Sequence, residues 1–221
     1  MLWITFQIHM MCVSQYLPVN PVIIEAGAYN GIDTEQMVKI WPKSTIYSFE
    51  PVAAIYKQLF ERVKFYPNVH SFSLALADRD ESRPFWVSTF PWGGNSGSSS
   101  LLPPKNHLEF DLSKFDQKID VLGLKLDTWA KWQNVERIDF AWLGMQGFEL
   151  PMLKASRLST NIKVIYIEVG FVEMYEGQPI YKDVKDWMLK NDYELKAIDF
   201  NEEIALKGRK AIWPGNSILY Y

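Results

Sequence analysis

The sequence predicts an α/β fold, a mostly parallel sheet with helices on both faces. Short β-rich runs alternate with runs of helical period, and "VIIEA" and "VIYIEVG" are apolar almost throughout, as strands covered on both sides are. The last two strand-like runs leave no room for a helix between them, so they are expected to pair antiparallel. With 221 residues, no repeat and no linker, the chain suits one sizeable domain.

Val22–Ala26 reads as the first buried strand and Thr34–Ile40 as a short helix ending before Pro42. "TIYSFEP" is a second strand, stopped by Pro51, and "VAAIYKQLFERVKF" sets Val52, Ile55, Leu59 and Val63 at helical spacing. "VHSFSLALA" is a third strand. The stretch "FWVSTFPWGGNSGSSSLLPP" is rich in Gly, Ser and Pro, and is expected to be a long loop that contacts substrate. "RIDFAWLGM" is the next strand, "FELPMLKAS" a short helix with Pro151 near its first turn, and "VIYIEVG" another strand. "YKDVKDWMLKN" carries Val184, Trp187 and Met188 on one helical face; "YELKAIDF" and "NSILYY" close the chain as strands.

A hydrophobic content of 48% and a charged content of 22% are ordinary for a globular protein, while 15% aromatic content with nine Trp is high. The net charge of -3 and the lack of a basic stripe argue against a nucleic-acid partner. Cys12 is the sole cysteine, which excludes an internal disulfide and a cysteine-based metal site and fits a reducing, cytoplasmic setting. His9, His70 and His107 give no zinc spacing, and acid-rich "DFNEE" reads as a solvated turn, so no metal is expected. Residues 1–20 form an apolar segment interrupted by Gln7, His9, Ser14 and Gln15; a covering helix is expected there rather than a membrane anchor, ahead of a domain over 21–221.

The first strand ends in Glu25 and runs into Gly27 and Gly31, and the second ends in Glu50. A glycine turn lets backbone approach a ligand, and an acid at the end of the second strand can accept from both hydroxyls of a ribose. The stretch Gly27-Ala28-Tyr29-Asn30-Gly31 lacks the middle glycine of a dinucleotide turn. Glu25 would repel a pyrophosphate yet suits a cation, so charge favours S-adenosylmethionine over NAD. A carboxylate that merely caps the turn is the competing reading.

The segments "IIEAGAYNGIDT", "YSFEP", "LALAD", "GSSSL", "LDTW", "IDFAWLGMQGFELPMLKAS" and "VIYIEVGFVEMYEGQPIYKDVKDWMLKNDYEL", with the closing "GNSIL", resemble in that order the FkbM family of S-adenosylmethionine-dependent methyltransferases. The resemblance covers nearly all of the chain from Pro21. It implies a Rossmann-like class I methyltransferase fold: a seven-stranded, mostly parallel sheet with the last strand antiparallel. It also implies an O-methyltransferase for a hydroxyl of a sugar or small natural product, hence a small-molecule or glycan acceptor. Carried over by position, Glu25, Gly27, Ala28 and Gly31 would hold the methionine end, and Glu50, followed by Pro51, the ribose. Ala77 and Asp78 would border the adenine, with Tyr29 and Asn30 as further lining.

The chain departs from the family pattern after its fourth parallel strand, where Lys-x-Asp-x-Gln/Glu-Gly-x-Glu becomes Trp142-Leu143-Gly144-Met145-Gln146-Gly147-Phe148-Glu149. Gly144 stands where an Asp is expected beside the transferred methyl group. Glu149 or Glu168 supplies the acid instead, or the chain binds cofactor with reduced or lost catalysis, or Gly144 is an engineered substitution. A glycine inside a strand weakens it, which asks for a reason. Alcohol methylation needs in-line positioning and a proton acceptor; the candidates are Glu149, Glu168 and His107. Ser98, Ser99, Ser100 and Gln146 are expected on the acceptor's side. Acceptors on nucleic acid or protein are the other enzymatic readings.

Overall fold

The computed structural model describes residues 10–11, 13–107, 112–195, 197–199 and 217–220. Strand β1 (Val22–Ala26) sends Ile23 to one face and Ile24 and Ala26 to the other, because side chains alternate along a strand. After it come α1 (Ile32–Ile40), β2 (Thr45–Phe49), α2 (Ala53–Val63), β3 (Val69–Phe72), β4 (Ala75–Leu76), β5 (Glu81–Thr89) and β6 (Lys114–Leu124). The second half holds α3 (Leu126–Gln133), β7 (Phe140–Leu143), α4 (Glu149–Lys154), β8 (Val164–Val169), α5 (Tyr181–Lys190), β9 (Ala197–Asp199) and β10 (Ser217–Tyr220).

Among the described residues, seven strands form the main sheet in the order β3-β2-β1-β7-β8-β10-β9. Pairing is parallel except at β10, which runs antiparallel to both β8 and β9. This is the expected doubly wound sheet with its closing antiparallel strand. The chain winds outward from β1 through β2 to β3, then returns to place β7 on the other side of β1. That reversal opens a crevice beyond the carboxyl ends of β1 and β7.

One core lies on the face carrying α3, α4 and α5. Trp129, fully buried, packs edge-on against Tyr47, Phe49 and Phe72. The opposite core joins Ile23, Met37, Trp41, Phe140 and Val164. Met10 and Val13 are buried in it, and residues 10, 11, 13 and 14 are helical. The rest of the expected covering segment, residues 1–9 and 12, lies outside the described residues, as do residues 200–203 of "DFNEE". Among the described residues, no helix is long and apolar enough to cross a membrane.

Two expectations change. The third strand, read as Val69–Ala77, breaks after Phe72: β3 stays in the main sheet, and β4 pairs with β6 in a second sheet of order β4-β6-β5. The presumed loop from Phe85 begins as strand, since β5 pairs with β6 from Glu81↔Gly123 to Thr89↔Lys114. Only from Phe90 does the chain become the loop that reaches the site.

Asp139, fully buried, ties three strands together at the far end of the sheet. Its Oδ2 accepts from the Val22 N–H at 2.9 Å and meets Arg137 Nε at 3.0 Å, while Oδ1 lies 3.3 Å from Lys163 Nζ. Arg137 and Lys163 are half exposed and can return to water, so the loss in Asp139→Ala falls on the orphaned backbone donor. The expected cost is about 2 kcal/mol, read as a lower urea midpoint with an unchanged slope.

Candidate active site

The turn after β1 is fixed by backbone. Phe49 O accepts from the N–H groups of Gly27 and Ala28 at 3.1 and 2.9 Å, and Gly31 N–H closes back on Ala28 O at 2.9 Å. Gly27 has φ 88°, and a Cβ there would lie 2.1 Å from Gly144 O. No side chain fits. Gly144 N–H in turn donates to Ala26 O at 3.0 Å, which carries the β1–β7 ladder one step past the strands. Gly144 therefore follows β7 rather than weakening it from inside. A Cβ on Gly144 would meet nothing nearer than Glu168 Oε2, at 3.9 Å.

Beyond this turn lies a crevice enclosing about 550 Å³ of empty space, part of it open to solvent. Gly27, Tyr29, Glu50, Pro51, Ser99 and Gly144 line it, with apolar walls from Ile55, Leu74, Phe85, Leu101 and Met145. Glu50 is buried, and the Val52 N–H donates to its Oε1 at 2.8 Å. Burial pushes its carboxyl up to about 7. Tyr29, at φ 50°, extends across the crevice and donates its hydroxyl proton to Asn95 O at 2.9 Å.

Several expected contacts are absent from the crevice wall. Glu25 faces the other way along the alternating strand. Thr34 and Ser48 donate to its Oε2 at 2.5 and 2.8 Å, and burial raises it to about 8. It braces the turn from behind. Ala28 packs on Leu59 and Val63, while Gly31, at φ 80°, makes room for Leu59. Ala77 is buried in the core and Asp78 pairs with Arg83, so neither borders the crevice.

Beside the crevice are two polar chambers, each of about 690 Å³. The first shares Gly27, Gly97 and Gly144 with the crevice and adds Asp33, Trp142, Tyr166 and Glu168. Trp142 and Tyr166 stack with centroids 4.0 Å apart. The second takes in Ser98, His107, Glu149, Tyr175 and Gln178. Gln146 and Glu168 border both. Burial lifts Glu168 to about 7 and Glu149 to about 8, and the nearby Glu168 raises Glu149 further. Glu149 Oε1 accepts from the Met145 N–H at 2.7 Å, which holds the bend after β7.

The three serines separate. The Ser98 carbonyl accepts from Tyr175, Ser99 lines the crevice, and Ser100 Oγ donates to Gln146 O at 2.8 Å. Among the described residues, no cluster of three or more His, Cys, Asp or Glu could hold a metal ion. Trp142, Tyr166, Asp33 and Tyr175 were not expected in the site. Their residue types are those of a core or a helix start, and only topology brings them together.

The Methyltransferase FkbM domain matches residues 25–195. The chain belongs to the FkbM methyltransferase family. It is 29% identical over 197 residues to the 2-O-methyltransferase NoeI of Sinorhizobium fredii (strain NBRC 101917 / NGR234), covering 87% of this chain and 80% of that protein. Among solved structures, a precorrin-6y C5,15-methyltransferase from Geobacter metallireducens GS-15 aligns at TM-score 0.47 and 12% identity, over 87% of this chain and 75% of that one. Fibrillarin from Aeropyrum pernix, with natively bound S-adenosyl-L-methionine, aligns at TM-score 0.47 and 12% identity, over 92% and 68%. This FkbM chain is a methyltransferase whose cofactor is S-adenosylmethionine.

The glycine contact gives a sharp contrast between two variants. Gly27→Ala is expected to abolish S-adenosylmethionine binding by calorimetry and to lower the melting temperature, whereas Gly144→Ala keeps both. A second expectation comes from Glu25. A carboxyl raised by burial gives up its proton earlier in the unfolded chain, so folded stability falls as pH rises from about 4.5 toward 8. Glu25→Gln, which keeps an oxygen acceptor for Thr34 and Ser48, is expected to flatten that slope in thermal melts across the same window.

Proposed function

We propose that this methyltransferase acts on a hydroxyl of a sugar or small natural product seated in the chamber of Asp33, Trp142, Tyr166 and Glu168, with Glu168 as the proton acceptor. The observation that carries this reading is the position of Glu168. The register runs Ala26↔Leu143↔Ile167, so Glu168 lies level with Gly144 one strand away, its carboxylate in the space a residue-144 side chain would enter. The acid missing at 144 is thus available from the neighbouring strand.

The chain's residues fit the cofactor. Glu50 offers a buried carboxylate bordering the crevice to a ribose hydroxyl pair, Pro51, Ile55 and Leu74 offer apolar walls for a flat base, and the Gly27 turn admits backbone contact. When bound, S-adenosylmethionine supplies an electrophilic methyl group on a positively charged sulfur. Asp33 and Glu168 give the adjoining chamber a negative character suited to that cation. Glu168 takes the acceptor's hydroxyl proton, and a value of about 7 suits a base working at neutral pH. The stacked Trp142–Tyr166 pair offers a flat wall to a ring. Glu149, bonded to the Met145 amide, holds the bend instead of reacting.

Carboxylates in the chamber and the net charge of -3 count against a phosphodiester acceptor. The NoeI relative, a 2-O-methyltransferase, supports oxygen as the atom methylated. A cytoplasmic setting accords with the lone cysteine.

Calorimetry with S-adenosylmethionine is expected to give binding that Glu50→Ala weakens roughly ten- to a hundredfold. With a panel of hydroxylated sugars and phenols, Glu168→Gln is expected to lower kcat by about 10²–10⁴-fold, far more than it weakens cofactor binding. Undiminished turnover in Glu168→Gln would remove Glu168 from the chemistry. Cofactor binding without turnover on any acceptor would favour the competing reading, a binding protein that lost catalysis with the side chain at 144.

A further inference from the structure

Gln146 stands in the wall between the two chambers, held in the left-handed region at φ 53°, where a residue with a side chain is strained by roughly 1 kcal/mol. Its backbone carbonyl accepts from Ser100 Oγ at 2.8 Å. Its side-chain Nε2 donates to Glu168 Oε2 at 2.8 Å, and its Oε1 lies 3.1 Å from the Tyr175 hydroxyl. That hydroxyl also donates to the Ser98 carbonyl, at 2.7 Å.

A phenol has one proton. The shorter contact gives it to Ser98 O, so Gln146 Oε1 shares it weakly or faces a lone pair. Turning the amide end for end satisfies this side: Nε2 would donate to the Tyr175 oxygen while Tyr175 keeps its bond to Ser98. The other side then presents Oε1 to Glu168, and an oxygen next to Glu168 is stable only if the carboxyl carries a proton. One orientation matches ionised Glu168; the other matches protonated Glu168.

We propose that Gln146 is a positioning residue whose side-chain amide turns over as Glu168 gains and loses the acceptor's proton. The idea rests on the reading of Glu168 as the base. As the methyl group would pass from the cofactor's sulfur to the acceptor oxygen, the methyl–sulfur bond breaking to leave a neutral thioether, the acceptor's O–H proton moves to Glu168 Oε2. The amide then turns about its Cγ–Cδ bond, so Oε1 accepts from the new carboxyl O–H and Nε2 donates to Tyr175. When product leaves and the proton passes to solvent, the amide returns. Ser100 and the Gln146 backbone hold the pivot, and only the terminal amide moves. The other ionisable groups around Glu168 are Asp33 from α1, Glu149 from the start of α4, Tyr166 on its own strand, and His107 and Tyr175 across the second chamber. Glu149 is raised by Glu168, so the two carboxyls titrate as a coupled pair.

The test needs no acceptor. Carboxyl carbon NMR of the whole protein, with Glu168 assigned through Glu168→Gln, follows its titration, and the Gln146 side-chain amide signals are followed beside it. Both are expected to share one midpoint. Gln146→Leu removes a donor from the charged form, the stronger of the two bonds, and is expected to move the Glu168 midpoint up by about one pH unit. Tyr175→Phe removes the partner of the turned amide, disfavours protonated Glu168, and is expected to move the midpoint down. Opposite shifts support the switch; shifts of the same sign, or none, in variants that still bind S-adenosylmethionine overturn it. Loss of turnover in Glu168→Gln is measured separately, so failure of the base assignment and failure of the switch are distinguishable.

Discussion

The site depends on a contact between two stretches of backbone. Gly27 and Gly144 meet where β1 and β7 end, so close that a single methyl group on Gly27 would overlap Gly144 O. The contact lets the ladder continue from Ala26 to Gly144 and keeps the crevice floor free of side chains. Everything around it is then fixed by register: Glu50 on the β2 side, Glu168 on the β8 side, and the bend bearing Gln146 above. Parallel strands make this possible, since all their carboxyl ends point the same way.

Much of this was legible in the chain. Gly27 and Glu50 could be read because each follows a short β-rich run and each residue type has a specific use there. Glu25 was legible as an acid but not in its direction: a period of two places it behind the turn, where Thr34 and Ser48 donate to it. The β5–β6 hairpin was hidden for a different reason. The first half of β6, "KFDQK", is mostly exposed and charged, and only Ile119, Val121 and Gly123 alternate inward, too short a run to mark the whole strand. The split of the third strand was equally silent, because β4 stays buried after leaving the main sheet and its composition does not change.

Among the described residues, the buried Glu25, Glu50 and Glu149 and the partly buried Glu168 illustrate how one residue type serves different ends. Glu25 and Glu149 have backbone or hydroxyl donors and brace bends. Glu50 borders the crevice beside its Val52 donor, and Glu168 borders both chambers with Gln146 on its Oε2. Burial raises all four, so a raised value alone does not separate scaffold from chemistry.

The reversal of winding at β1 also governs how the protein is made. The Val22 amide bonds to Asp139, 117 residues later, and β1 has β7 as its inner neighbour. A nascent chain that has completed β1, β2 and β3 therefore carries an open, apolar strand edge until β7 emerges from the ribosome. Early synthesis is the interval in which this edge invites mispairing, and the speed of translation between the two strands sets its length.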